Sequence, residues 1–176
     1  MALVLNGDGP VTGLSSLTFP GGAGTVTGLG NAAILSKSIA TGAVLQVVQA
    51  TYSTLASTTG TSYIDTGLSC SITPNFTTSK ILVMITHQGV RIDSNAYIFS
   101  RLMRDATQLE QMTQDHLWMG GQTFTREASI AQNYLDSPST TSSVTYKTQF
   151  YAGGSGTASF QLNSRPSRMI LMEIAG

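Results

Sequence analysis

Ala96-Tyr-Ile-Phe-Ser-Arg-Leu-Met-Arg104 sets Tyr97, Phe99, Arg101 and Met103 against Ile98, Ser100, Leu102 and Arg104. Side chains of an extended chain point to alternate faces, so this stretch reads as a strand with one face turned to a core. Upstream, Lys80-Ile-Leu-Val-Met-Ile-Thr-His87 is almost continuously apolar and reads as a central strand buried on both faces. Val44-Leu-Gln-Val-Val-Gln-Ala-Thr51 is β-branched, partly alternating and bounded by Thr41-Gly42. Ser62-Tyr-Ile-Asp-Thr-Gly-Leu68 follows a Thr59-Gly60 turn, and Cys70-Ser-Ile-Thr-Pro74 reads as a short edge piece stopped by its proline. Downstream, strands fit residues 107–112, 128–135, 144–151, 158–162 and 169–174, with the Gly120-Gly121 and Gly153-Gly154 pairs as separators. About eight to ten short strands without a long helical period predict an all-β antiparallel sandwich or jelly roll. Met169, Ile170, Leu171, Met172 and Ile174 make the C-terminus a strand rather than a tail. Placed beside the first strand, it covers edges that otherwise invite aggregation.

The beginning of the chain has a different character. Residues 1–42 hold nine of the 18 glycines and no sustained helical period. Val-Thr-Gly-Leu occurs at Val11 and again at Val26, either as two short pieces suited to similar grooves or as chance in a low-complexity segment. Two copies are too few for a solenoid. Phe19-Pro-Gly-Gly22 is a turn signal, and Asn31 to Ala40 fits one or two helical turns. Such a segment cannot bury a core of its own. Leu3, Val4, Leu5, Val11, Leu14, Leu17, Phe19, Val26 and Leu29 therefore need another chain or surface to lie against. The expected organisation is an extended attachment arm, residues 1–42, and a β-sandwich knob, residues 43–176.

Charged residues make up 10 % of the chain, against about 25 % in typical soluble domains. The 45 Ser and Thr residues supply polarity without a strong field, and such a surface is easier to dehydrate against a neighbour. An oligomer is expected. Nine basic and nine acidic residues cancel without clustering, so nothing matches a row of phosphates and nucleic acid is not an expected partner. No apolar run is long enough to span a bilayer, and Met1-Ala-Leu-Val-Leu-Asn lacks the basic n-region of a secretion signal. Synthesis in a cytoplasm is expected. Cys70 is the only cysteine, which leaves no internal disulfide or Cys-rich metal site.

Catalytic and metal chemistry find little support. His87 and His116 are the only histidines, and a metal needs three or four donors at compatible spacing. His87 is expected as a capped core residue at a strand end. Asp115-His116 has no positioned nucleophile to complete a triad. Glycan cleavage needs two carboxylates facing across a sugar, whereas Asp115, Glu127 and Asp136 read as loop-rim residues. Asn6-Gly-Asp-Gly9 lacks the later ligands of a calcium loop and reads as a turn. Asn75-Phe-Thr77 is a sequon in a loop. No enzyme activity, metal or cofactor is expected. Trp118, Met119 and Phe124 form a candidate surface or interface loop beside a glycine pair, with packing in the core or at an oligomer axis favoured. Arg91, Arg101, Arg104 and Arg126 are candidate interface donors.

The opening Met-Ala-Leu-Val-Leu-Asn-Gly-Asp-Gly9, with Val44-Leu-Gln-Val-Val-Gln49 and Ser62-Tyr-Ile-Asp-Thr-Gly-Leu-Ser-Cys-Ser-Ile-Thr-Pro74, resembles small virion proteins of tailed bacteriophages. Ser79-Lys-Ile-Leu-Val83 and Ile170-Leu-Met-Glu-Ile174 extend that resemblance over most of the chain. It implies a jelly-roll knob like those of tumour-necrosis-factor and complement-type domains, usually a homotrimer, attached to the particle by its N-terminal segment. It carries no functional residues with it. The function expected is a capsid decoration or cement protein on the virion surface, made in the host cytoplasm, its arm lying on the major capsid protein of the shell. The alternative is a tail or head fibre protein, seated on a tail adaptor and recognising a host-surface glycan.

Overall fold

The computed structural model describes residues 40–93, 95–117 and 125–176. The expected arm, the helical turn at 31–39, the turns at 6–9 and 19–22, and Trp118, Met119, Gly120, Gly121 and Phe124 lie outside the described residues. Ten strands follow in chain order: β1 (Val44–Tyr52), β2 (Ala56–Thr58), β3 (Ile64–Ile72), β4 (Lys80–Asp93) and β5 (Ala96–Arg104). After them come β6 (Thr107–His116), β7 (Arg126–Asp136), β8 (Val144–Gly154), β9 (Thr157–Phe160) and β10 (Ser167–Ile174).

They form two antiparallel sheets. In the first, the order is β1-β10-β4-β9-β2, with β7 paired to the other edge of β4. In the second, it is β3-β8-β5-β6. Side chains from both sheets share one core, in which Val83, Ile85, Met169 and Leu171 meet Leu68, Ile72, Leu102 and Tyr146. A second cluster gathers Ile98, Ile130, Phe150 and Phe160. The protein is an all-β sandwich. As expected from the need to cover sheet edges, the last strand lies beside the first, with β10 between β1 and β4.

Four expectations change. β4 is central, yet it is buried on one face only: Ile81, Val83, Ile85 and His87 point inward, while Leu82 is half-buried and Met84 exposed. Residues 62–68 and 70–74 belong largely to one strand, β3, broken in register between Asp65 and Ser69. Gly67 sits in that irregularity at φ 87°, a conformation that favours glycine, so two apparent strands are one strand with a bulge. Gly153 and Gly154 end β8 instead of separating strands, because they pair with Tyr97 and Ala96. A Cβ at Gly153 would fall within the Tyr97 ring, so the glycine makes room for that side chain. The three-residue β2 was not expected at all.

β4 is long enough to pair twice along one edge. Residues 80–86 meet β10, and residues 91–93 meet β9. The chain between β9 and β10 therefore stays on that edge and leaves the ladder beside Gln88 and Gly89, at a 3-10 turn, Leu162–Ser164. Gln161 N–H donates to the Gln88 carbonyl at 3.0 Å. Gly89, at φ 59°, gives the space: a Cβ there would stand 2.6 Å from the Leu162 nitrogen.

Candidate functional site

The solvent face of the first sheet is built from alternate residues of β1, β10, β4 and β7. Register pairs Val47 with Met172, Met172 with Leu82, and Leu82 with Leu135. One row of four apolar side chains thus crosses four strands. The next row runs Gln49, Ile170, Met84, Asn133. Val47 is 53 % exposed, Leu135 50 % and Met84 36 %. A water-facing antiparallel sheet usually alternates apolar-in with polar-out. Here the outward positions of both rows are apolar or uncharged.

The solvent face of the second sheet is polar and aromatic. Asp65, Gln149, Arg101 and Gln111 form one row across β3, β8, β5 and β6. Gln149 Nε2 donates to Asp65 Oδ1 at 2.7 Å, and Lys147 Nζ lies 3.1 Å from the same oxygen. Arg101 donates to Gln149 Oε1 through Nε (2.9 Å) and Nη2 (2.7 Å), and to Gln108 Oε1 through Nη1 (3.0 Å). Tyr63 lies over this row, its ring centroid 3.8 Å from the Arg101 guanidinium carbon, a cation–π contact. Its hydroxyl donates to Gln111 Oε1 at 2.9 Å. Beside it, Phe99 and Tyr151 are stacked at 4.6 Å, and Tyr63 meets Tyr151 edge-on at 4.7 Å.

The β3 bulge opens a cleft of about 150 Å³ at the margin of this row, lined by Asp65, Gly67, Leu68, Ser69, Thr145 and Lys147. The bulge is fixed from beneath. Thr66 Oγ1 accepts from Leu68 N–H at 3.2 Å and bonds Thr148 Oγ1 at 2.6 Å, both hydroxyls being buried.

The carboxylates inside the sandwich serve the fold. Glu173 is fully buried and accepts from Ser79 Oγ (2.6 Å), Asn75 N–H (2.6 Å), Asn75 Nδ2 (2.7 Å) and Gln46 Nε2 (2.6 Å). Burial pushes its pKa up, and these hydrogen bonds outweigh that and hold it below the usual carboxylate value. Asp136 is not the loop-rim residue expected. It is buried, and its Oδ2 accepts from Tyr146 Oη and from Arg104 Nη1, each at 2.6 Å. Burial and then the Asp136 carboxylate raise the Tyr146 pKa. Glu173 and Asp136 flank Ile81 in one inner row, both closed to solvent, an arrangement that suits packing and not proton transfer to a substrate.

His87 is buried as expected, yet it is neither capped nor at a strand end. Both ring nitrogens lack hydrogen-bond partners, β4 continues to Asp93, and the ring packs edge-on against Phe160 at 4.8 Å. Burial lowers its pKa from 6.5 to about 3. His116 ends β6 with Nε2 unpartnered and its pKa lowered by burial. Cys70 is a buried free thiol whose pKa burial raises. Among the described residues, no group of three metal-ligating side chains comes together. Asn75 of the sequon is engaged with Glu173.

Three of the four candidate interface arginines have partners within the chain: Arg91 with Asp93, Arg101 with the glutamines, and Arg104 with Asp136. The arm residues Leu3, Val4, Leu5, Val11, Leu14, Leu17, Phe19, Val26 and Leu29, and the loop residues Trp118, Met119 and Phe124, lie outside the described residues. Sequence reasoning missed Tyr63, Asp65, Lys147, Gln149 and Tyr151 as neighbours. The alternation Lys147-x-Gln149-x-Tyr151 on β8 places three of them on one face, though not beside which strand.

The class this fold defines is the antiparallel β-sandwich. A scan against protein-family models gives no match to the chain, and a search of curated proteins gives none.

Proposed function

We propose that this protein is a non-enzymatic structural component of a tailed-phage virion: a decoration, or cement, protein that binds the outside of the head as a homotrimer. The observation that carries the reading is the row Val47, Met172, Leu82, Leu135 on the solvent face of the first sheet. An apolar surface of this kind is stabilised when neighbouring copies cover it, and a closed ring of three leaves none of it open. The low charge of the chain lowers the cost of dehydrating that contact. Engagement of Glu173 and Asp136 in closed networks supports a structural role for the knob.

The mechanism is mass action. A subunit that binds only the assembled shell stabilises that state, and three arms on one trimer multiply weak contacts with the major capsid protein. The apolar side chains of residues 1–42 are the contact that binds the shell. The trimer is made in the host cytoplasm and ends on the virion surface.

Two observations test the reading together. Density or bound antibody on purified particles belongs over the head. Deleting residues 1–37 leaves a folded knob that no longer decorates empty capsids. Density at the tail contradicts the cement reading and favours a fibre. Undiminished capsid binding by the deletion contradicts the arm mechanism.

A further inference from the structure

We propose that the cleft over the β3 bulge, with the Tyr63–Arg101 pair beside it, is a binding site for a neutral saccharide. The inference does not rest on shell attachment, because it concerns the second sheet and holds wherever the knob is carried.

Size is the first constraint. At about 150 Å³ the cleft takes one sugar ring, whereas pockets for drug-sized ligands begin near roughly 300 Å³. Its lining is the second. It is largely apolar, and its polar groups are the Asp65 acceptors, the Lys147 donors and the hydroxyls of Ser69 and Thr145, the latter already bonded to Ser71 Oγ at 2.8 Å. A sugar ring, with C–H faces and hydroxyls that both donate and accept, matches that mixture.

Charge separates the ligand classes. Asp65 and Lys147 form an ion pair at the cleft, so its formal charge cancels. An anion would face the Asp65 carboxylate and a cation the Lys147 ammonium. The second cation, Arg101, already donates through all three of its nitrogens to Gln149 and Gln108. A neutral ligand meets none of these penalties.

The site is also held in place before any ligand arrives, which reduces the ordering cost of binding. Gln149 fixes Asp65 at 2.7 Å and is itself fixed by Arg101 at 2.7 Å. Arg101 in turn seats the Tyr63 ring, and the Tyr63 hydroxyl is tied to Gln111. The row Asp65, Gln149, Arg101 thus links the cleft to the Tyr63 ring, one face of which the Arg101 guanidinium covers.

The test is amide chemical-shift mapping on the full-length protein, labelled with 15N. The neutral probes are oligosaccharides of glucose, galactose, mannose and N-acetylglucosamine. Sialyllactose and a heparin hexasaccharide form the anionic arm. The expected result is saturable binding of at least one neutral probe at millimolar concentration or tighter, with shifts centred on Ser69, Thr145 and Lys147. Ser69→Trp fills the cleft from an exposed position and abolishes binding with an unchanged melting temperature. Asp65→Asn, which keeps the shape, weakens binding about tenfold. No binding by any neutral probe overturns the proposal. So does binding only to the anionic probes, or binding that Ser69→Trp leaves intact.

Discussion

The carboxylate of Glu173, on the last strand, accepts the backbone N–H of Asn75 at 2.6 Å. The bond joins β10 to the loop between β3 and β4, and Ser79 and Gln46 converge on the same side chain. One buried acid therefore ties together the first strand, the last strand and a connection between the two sheets. No cation neutralises it among the hydrogen-bond partners described; dipoles and hydroxyls do so instead.

Replacing Glu173 with Ala strands the Asn75 N–H and the Ser79 and Gln46 donors. The loss expected is about 3 kcal/mol, as for buried hydrogen bonds to a charged group. Urea denaturation measures it, and a loss below about 1 kcal/mol contradicts the role assigned. Because the folded pKa of Glu173 lies below its unfolded value, its contribution is complete above the unfolded value. It is lost as pH falls through the folded one.

His87 sets a separate dependence at milder pH. Its folded pKa is about 3 against 6.5 unfolded, so between those values the unfolded chain binds the proton and the folded one does not. Stability must then fall as pH drops from about 6.5, by up to about 1.4 kcal/mol per pH unit. His87→Leu removes most of the slope between pH 6.5 and 5, leaving the smaller part due to His116. Melting temperatures across that range decide it, and an unchanged slope in the variant contradicts the assignment.

Gly89→Ala tests the close approach of the β9–β10 connection to β4. The new methyl group meets the Leu162 backbone nitrogen and oxygen, at 2.6 and 2.7 Å, on a residue at φ 59°. Backbone on both sides cannot rotate away, so a loss of about 2–4 kcal/mol is expected. Thermal unfolding checks it, and a neutral effect contradicts the close approach.

The strands were legible where period-two alternation was strong, as in β5, where Ile98, Ser100 and Leu102 point inward in the order the sequence predicts. β10 was legible from its apolar content, and its place beside β1 from the need to cover an edge. β4 misled because Leu82 and Met84 are as apolar as the inward Val83 and Ile85. Periodicity cannot tell a strand buried on two faces from one whose second face is a contact surface. The β3 bulge was hidden for another reason: Gly67 looks like a break in the pattern, and only pairing with β8 shows the strand resuming at Ser69. Asp136 was misplaced because its partners, Arg104 and Tyr146, lie on other strands. The aromatic and amide face needed the strand order β3-β8-β5-β6, which no local signal carries.

In the proposed trimer, copies of this chain cover the apolar row of the first sheet, and sedimentation equilibrium of the full-length protein at micromolar concentration decides whether they do. A trimer of 18.5 kDa chains is expected. Leu82→Lys, which places a charge in the middle of the row on a half-buried outward position, is expected to yield a folded monomer. A wild-type monomer at that concentration, or a Leu82→Lys protein that remains trimeric, contradicts this arrangement.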